Sequence, residues 1–248
     1  MKPMHYTLLA VVAACSFGSA QAHSLWLEQD SQGGAALYFG HFEINLREVS
    51  PGLLDKLPGP VARKVSASGE SAAVPLKKSA NSYSSGPIQL APGEALLAEE
   101  LNYPLMERKV EGKAVQSLYQ PFARMVGDLS AYKPQTTLDI VPSGVKRGDN
   151  PEFFIYFKGK PLTRVKVSIH TASGWSQSRT TDGEGKFNVP LPWSGPYVIQ
   201  LFHRDDEPGQ RDQDKYERAT YSAALTFYQA QGLPPLPAAP AAKPNKAD

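Results

Sequence analysis

Between Thr136 and Tyr228 the chain carries seven short segments in which apolar residues alternate with polar ones: "TTLDIVP", "PEFFIYFKG", "TRVKVSIHT", "QSRTT", "GKFNVPL", "GPYVIQLFH" and "RATYSAALTFY". Turn clusters separate most of them, at Gly148-Asp149-Asn150-Pro151, Gly159-Lys160-Pro161, Asp182-Gly183-Glu184-Gly185 and Ser194-Gly195-Pro196. Side chains along a strand point to opposite faces in turn, so such segments bury their apolar sets by stacking one sheet on another. Seven in succession predict an immunoglobulin-like or transthyretin-like β-sandwich over residues 136–228. Helical periodicity is scarce, and the 20 Gly and 22 Pro of the whole chain suit a fold with many turns.

Upstream the pattern is weaker but of the same kind. Leu25 and Leu27, then Leu37 and Phe39, mark two strands around the turn "DSQGG". "VARKVSA" (61–67), "GEALLAEEL" (93–101) and "QSLYQPFAR" (116–124) are further strand candidates. One short helix is expected over "SPGLLDKL" (50–57), with Ser50 as N-cap and Pro51 at the first helical position. Residues 102–135 show no readable pattern. The expected architecture is therefore all-β, with an N-terminal β domain at 23–135 and the sandwich at 136–228. The Pro/Ala-rich stretch 229–248 is expected to be a disordered tail, because it has little with which to bury a core.

The first 22 residues read as a signal peptide. Lys2 supplies the positive end, Leu8 to Phe17 an apolar core, and Ala20-Gln21-Ala22 a small-x-small cleavage site. Cleavage there makes His23 the first residue of a periplasmic protein. A competing reading takes Val12-Ala13-Ala14-Cys15 as a lipoprotein site, which lipidates Cys15 and leaves His23 internal. No other stretch approaches eighteen apolar residues, so no transmembrane segment is expected. Cys15 is the single cysteine, so no disulfide staples the fold. With 26 basic and 24 acidic residues, the charge balance gives no reason to expect nucleic acid or an anionic membrane as partner.

No HExxH, CxxC, phosphate loop or GxSxG occurs, so any chemistry comes from residues that the fold gathers. With His5 in the leader, four histidines remain: His23, His41, His170 and His203. In a hairpin that keeps Leu25, Leu27, Leu37 and Phe39 on one face, the register is restricted to steps of two. One register pairs Leu25 with Phe39 and sets His23 opposite His41; the next sets His23 opposite Glu43. Opposed side chains in a hairpin lie about 5 Å apart at Cβ. A free α-amine and the imidazole of one histidine close a chelate ring, and a second imidazole gives three nitrogens in a plane, which suits Cu(II) or Ni(II). His203 ends its strand on the side of Tyr197, Ile199 and Leu201, either as a further ligand or as a histidine satisfied at a strand end. His170 lies opposite Val165, Val167 and Ile169 and is expected to face solvent. The loop 204–218 lacks the glycine and spacing of a calcium loop and reads as a salt-bridged surface loop.

The segment "GKPLTRVKVSIHTASGWSQSRTTDGEGKFNVPLPWSGPYVIQLFH" and the opening "AHSLWLEQD…LYFGHFEINLREVSPGLLDKL" resemble a periplasmic family of unknown function named for nickel or cobalt uptake. The resemblance implies an all-β periplasmic protein linked to transition metals, with His23 and His203 on the family's pattern. The resulting expectation is a non-enzymatic protein that holds one copper, nickel or cobalt ion through His23, His41, Glu43 and His203. An inner- or outer-membrane metal transporter would be its partner. Two other classes compete with it. One is a copper-dependent oxidative enzyme resembling lytic polysaccharide monooxygenases; the other is a metal-free β-sandwich interaction module.

Overall fold

A computed structural model describes residues 23–246. The expected signal peptide and Cys15 lie outside the described residues. Six strands organise the molecule: β1 (Ser24–Gln29), β2 (Gly34–His41), β3 (Lys113–Val126), β4 (Lys166–Thr171), β5 (Gly195–Asp205) and β6 (Arg218–Gln229). All seven segments expected after Thr136 form strands, and among the described residues the only helical turns are two of 3-10 type, at Phe42–Ile44 and Leu53–Lys56.

A nine-stranded sheet forms the middle layer. Its order is Ser176–Thr180, β4, β5, β6, β3, Ala95–Glu99, Val61–Val65 and Ser71–Val74, with Met106–Val110 also paired to β3. The joint is β3 beside β6, a parallel pair running from Ser117 opposite Arg218 to Met125 opposite Thr226. Strands from before and after residue 135 thus make one sheet, so the two separate units expected at 23–135 and 136–228 are continuous. Alternation along a strand states which face a side chain takes, and is silent about which strand lies alongside.

Each face of this sheet is covered. On one side lies a smaller sheet built on Leu138–Arg147 and Asn150–Phe157. Between them pack Leu138, Ile140, Phe153 and Ile155 against Ile169, Tyr197, Ile199, Leu225 and Phe227. On the other side, the hairpin of β1 and β2 sets Leu25, Leu27, Leu37 and Phe39 against Leu96, Tyr119, Ala123 and Met125. Burying a side chain of this size contributes about 1.5–3 kcal/mol. Trp26, on the reverse side of β1, is fully buried against Val198 and Ala224. Across the boundary at residue 135, buried Arg124 of β3 donates to both oxygens of Asp139, at 3.0 and 2.6 Å.

Three local expectations change. The helix expected over 50–57 shrinks to Leu53–Lys56, with Gly52 as its cap. Ser50 instead donates its hydroxyl to Asp55 at 2.7 Å, and the same carboxylate accepts from the Gly52 amide at 2.9 Å. Within the unreadable stretch, Met106–Val110 and Lys113–Ser117 pair as a hairpin around Glu111-Gly112, both at positive φ (50° and 80°). That two-residue turn closes strands too polar to show an apolar alternation.

The tail expected to be disordered lies along the body. Leu233 exchanges backbone hydrogen bonds with Pro192 and Ser194, Ala239 N–H donates to Ala172 C=O at 2.8 Å, and Ala242 N–H donates to Asn45 C=O at 3.1 Å. Proline-rich chain loses little freedom on docking, and backbone hydrogen bonds hold it where side-chain burial is small.

Candidate functional site

The register of the hairpin is the one that pairs Leu25 with Phe39 and Leu27 with Leu37. It brings His23, immediately before β1, beside His41 at the end of β2. Their rings lie 4.7 Å apart between centroids, inclined at 51°. His23 also packs on Phe39, at 5.0 Å between ring centroids. Its carbonyl accepts a hydrogen bond from the Tyr119 hydroxyl. That hydroxyl stands 2.7 Å from Ser222 Oγ, so β3 and β6 together anchor the start of β1.

After β2 the chain folds back sharply. Phe42–Ile44 makes a single 3-10 turn, closed by Asn45 in the left-handed conformation (φ 52°). Leu46–Arg47 then pairs with Gly40 and His41 of β2. Gly40 is needed for this approach, since a Cβ there would lie 2.3 Å from the Leu46 carbonyl oxygen. The fold-back carries Glu48 under His23, with its amide donating to Phe39 C=O at 2.8 Å.

Each imidazole is thereby matched with one carboxylate. His23 Nε2 is 2.5 Å from Glu48 Oε1, and Glu48 is fully buried. His41 Nδ1 is 3.4 Å from Glu43 Oε1. A carboxylate only accepts, so the proton of a neutral His23 belongs on Nε2, and the contact with Glu43 favours Nδ1–H on His41. Among the described residues, no hydrogen bond engages His23 Nδ1 or His41 Nε2. Burial pulls the His23 pKa below the ordinary histidine value; the Glu48 hydrogen bond opposes it, and the neighbouring His41 adds to it. For Glu43, burial works against ionisation. The hydrogen bond from His41, the residue's own backbone N–H and the positive character of His41 and His170 outweigh it, and hold the carboxyl at about 2.

A second polar row continues from Glu43 across the central sheet. Gln200 of β5 donates to Glu43 Oε2 at 3.3 Å and accepts from the Ser24 hydroxyl at 3.2 Å. Its amide nitrogen also lies 3.1 Å from His170 Nε2, while His170 Nδ1 meets Ser176 Oγ at 2.7 Å. His170 is therefore buried, and the expectation that it faces solvent is corrected. Its side does point away from Val167 and Ile169, but the hairpin sheet covers that face as well. Burial lowers its pKa, partly offset by Glu43.

His203 is not part of the cluster. Gln200 takes the hairpin face of β5, so Leu201 and His203, an odd number of residues along, take faces set by alternation on the opposite side. Leu201 lies in the core beneath the smaller sheet, and His203 meets the edge of Phe157 at 4.4 Å between centroids. It is half-buried against Phe157 and takes no part in the cluster. Of the four residues expected to share a site, His23, His41 and Glu43 come together, and His203 lies across the sheet.

Sequence reasoning missed Glu48, which reaches the site only through the fold-back at Gly40. Gln200 did leave a signal: it is the one polar residue inside the apolar run "YVIQLF". A polar side chain at such a place calls for buried partners. The tail supplies the last group. Asn245 donates from Nδ2 to Glu48 Oε1 at 2.7 Å and from its backbone N–H to Glu48 Oε2 at 3.1 Å.

No three His, Cys, Asp or Glu side chains among the described residues are arranged as a metal site. Residues 123–205 match the model of a family described as a domain of unknown function, DUF4198. That stretch includes β4, all of β5 and the buried His170 and Gln200, and leaves out the hairpin that carries His23 and His41. No curated protein matches the chain.

Proposed function

We propose that this protein binds one transition-metal ion, copper before nickel or cobalt, at His23 and His41, and holds or carries it in the periplasm without catalysis. One observation carries the reading. Two adjacent imidazoles each have a carboxylate at one ring nitrogen, and among the described residues nothing donates to the remaining nitrogens, His23 Nδ1 and His41 Nε2. Carboxylates in the outer shell of metal-binding histidines fix the tautomer and raise the basicity of the free nitrogen. Glu48 and Glu43 suit that role, so Glu43 supports a ligand in this reading and is not one itself.

The third nitrogen would be the α-amine that cleavage before His23 exposes. It would close a chelate ring with Nδ1 of the same residue, which is the nitrogen Glu48 leaves bare. A site of two imidazoles and one amine has only two side chains as ligands. Nitrogen donors in such a set favour Cu(II) in the usual affinity order. A membrane metal transporter is the partner this role would require.

Titration of Cu(II) into the metal-free mature protein, followed by calorimetry and electron paramagnetic resonance, tests the proposal. One equivalent with nitrogen hyperfine structure is expected. His41→Ala and a protein extended by one glycine before His23 should each bind at least about tenfold more weakly. Unchanged affinity in both would refute it. A carrier role further expects no ascorbate-driven oxygen consumption above that of free copper.

A further inference from the structure

The C-terminal stretch approaches the His23–Glu48 pair through residues spaced three apart. Ala239, Ala242 and Asn245 each donate a backbone N–H to the body, to Ala172 C=O at 2.8 Å, Asn45 C=O at 3.1 Å and Glu48 Oε2 at 3.1 Å. Three residues per turn is the period of a polyproline II helix, whose backbone groups stay free to bond outward. Pro240 and Pro244, which have no N–H, occupy positions between the donors. The body answers in kind, since Asn45 Nδ2 donates to Ala239 C=O at 2.6 Å. Ala239 and Ala242 are half-buried and the residues between them are exposed, as one inward edge of a threefold helix requires.

We infer that residues 239–246 form a releasable strap, docked in cis on a surface made by Ala172, Asn45 and Glu48, that closes the His23–Glu48 pair from solvent. Asn245 is the latch. It gives Glu48 two donors, one to each carboxylate oxygen, and its amide nitrogen lies 3.3 Å from His23 Nε2. Asn245 itself is exposed, while Glu48 beneath it is fully buried. The strap buries almost no apolar side chain, so its attachment rests on hydrogen bonds at the protein surface. Segments held in this way open far below the free energy of global unfolding. With the strap released, the surface would accept an extended Pro/Ala peptide of the same register.

The test uses the mature, metal-free protein, so that its outcome is separate from that of the metal proposal. Amide hydrogen exchange is expected to slow at Ala239, Ala242 and Asn245 by about tenfold or more relative to Ala241 and Lys243, whose N–H groups have no acceptor among the described residues. Carbethoxylation of histidines, located by mass spectrometry, gives the second readout. Truncation after Ala238 and Asn245→Ala should each speed modification of His23 at least about threefold while leaving His203 unchanged. A synthetic peptide of residues 239–248 should restore the protection of the truncated protein. Asn245→Ala keeps the whole chain, so a folding defect in the truncated form does not decide the matter. Uniform exchange across 239–246, or an unaltered His23 rate in both variants, would overturn the inference.

Discussion

Replacing Glu48 with glutamine removes one charge and almost no volume, and it strikes the group on which His23 and Asn245 both depend. In the native protein Glu48 accepts from His23 Nε2 at 2.5 Å, from Asn245 Nδ2 at 2.7 Å and from Asn245 N–H at 3.1 Å. Glutamine offers one oxygen and one NH2 group. With the oxygen in the place of Oε1 it still accepts from His23 and from Asn245 Nδ2, and its NH2 faces the Asn245 N–H alone. With the oxygen in the place of Oε2, its NH2 faces both His23 Nε2 and Asn245 Nδ2, and His23 must give up its proton to Nδ1. Undocking the strap relieves the Asn245 conflict in either orientation, so the cost falls mainly on the His23 contact. A hydrogen bond to a charged group contributes about 1.5–3 kcal/mol. For a chain of this size that corresponds to a fall in melting temperature of roughly 3–12 °C. The second orientation puts a proton on the nitrogen the chelate needs, and loss of an outer-shell partner lowers metal affinity by about 10–100-fold. Calorimetric unfolding of the metal-free variant and copper titration by competition give the two readouts. A melting temperature and a copper affinity both indistinguishable from the parent would refute the assignment of Glu48 as the group that orients His23.

Asp139→Ala should destabilise the protein by about 3–5 kcal/mol in urea unfolding, because it strands buried Arg124; replacing both with apolar residues should recover most of that, and additive costs would count against it. Acidification should weaken the metal-free protein progressively. His23 and His170 have pKa values lowered by burial, so the unfolded chain takes up more protons and stability falls as the pH drops below about 6.5. The Glu43 carboxyl, held at about 2, adds a contribution that is complete above its unfolded value and lost as the pH falls through about 2. Glu43→Gln should flatten the lower part of the curve of melting temperature against pH, and an unchanged curve would contradict the pairing with His41. His203→Ala should leave copper binding within about twofold of the parent, since it lies across the sheet; a larger loss would mean that the two faces communicate.

Strand positions can be read from the sequence because they rest on parity. A slip of one residue turns Leu25 and Leu27 away from Leu37 and Phe39, which leaves either His41 or Glu43 opposite His23, and the structure takes the first of these registers. Parity also decides between the two roles open to His203. Sharing a face with Tyr197, Ile199 and Leu201 ties it to the core beneath the smaller sheet, and so separates it from the hairpin. For His170, alternation gives the side opposite a core, which suggests solvent, whereas the middle layer of this fold is covered on both sides. The strand order, the fold-back that delivers Glu48 and the docking of the tail depend on contacts between distant segments. No local pattern encodes those.

The parallel pairing of β3 with β6 also governs when this protein can begin to exist as a folded object. β3 ends at Val126 and β6 starts at Arg218, and the middle sheet has no continuity until the second has been made. Closing so long a loop before any of its contacts form is slow, as in other folds dominated by non-local strand pairing. The first half of the chain, emerging alone, has half a sheet with an open edge at β3 and no site worth the name, because Gln200, Ser222 and Asn245 are still to come. Folding is thereby deferred to the end of synthesis.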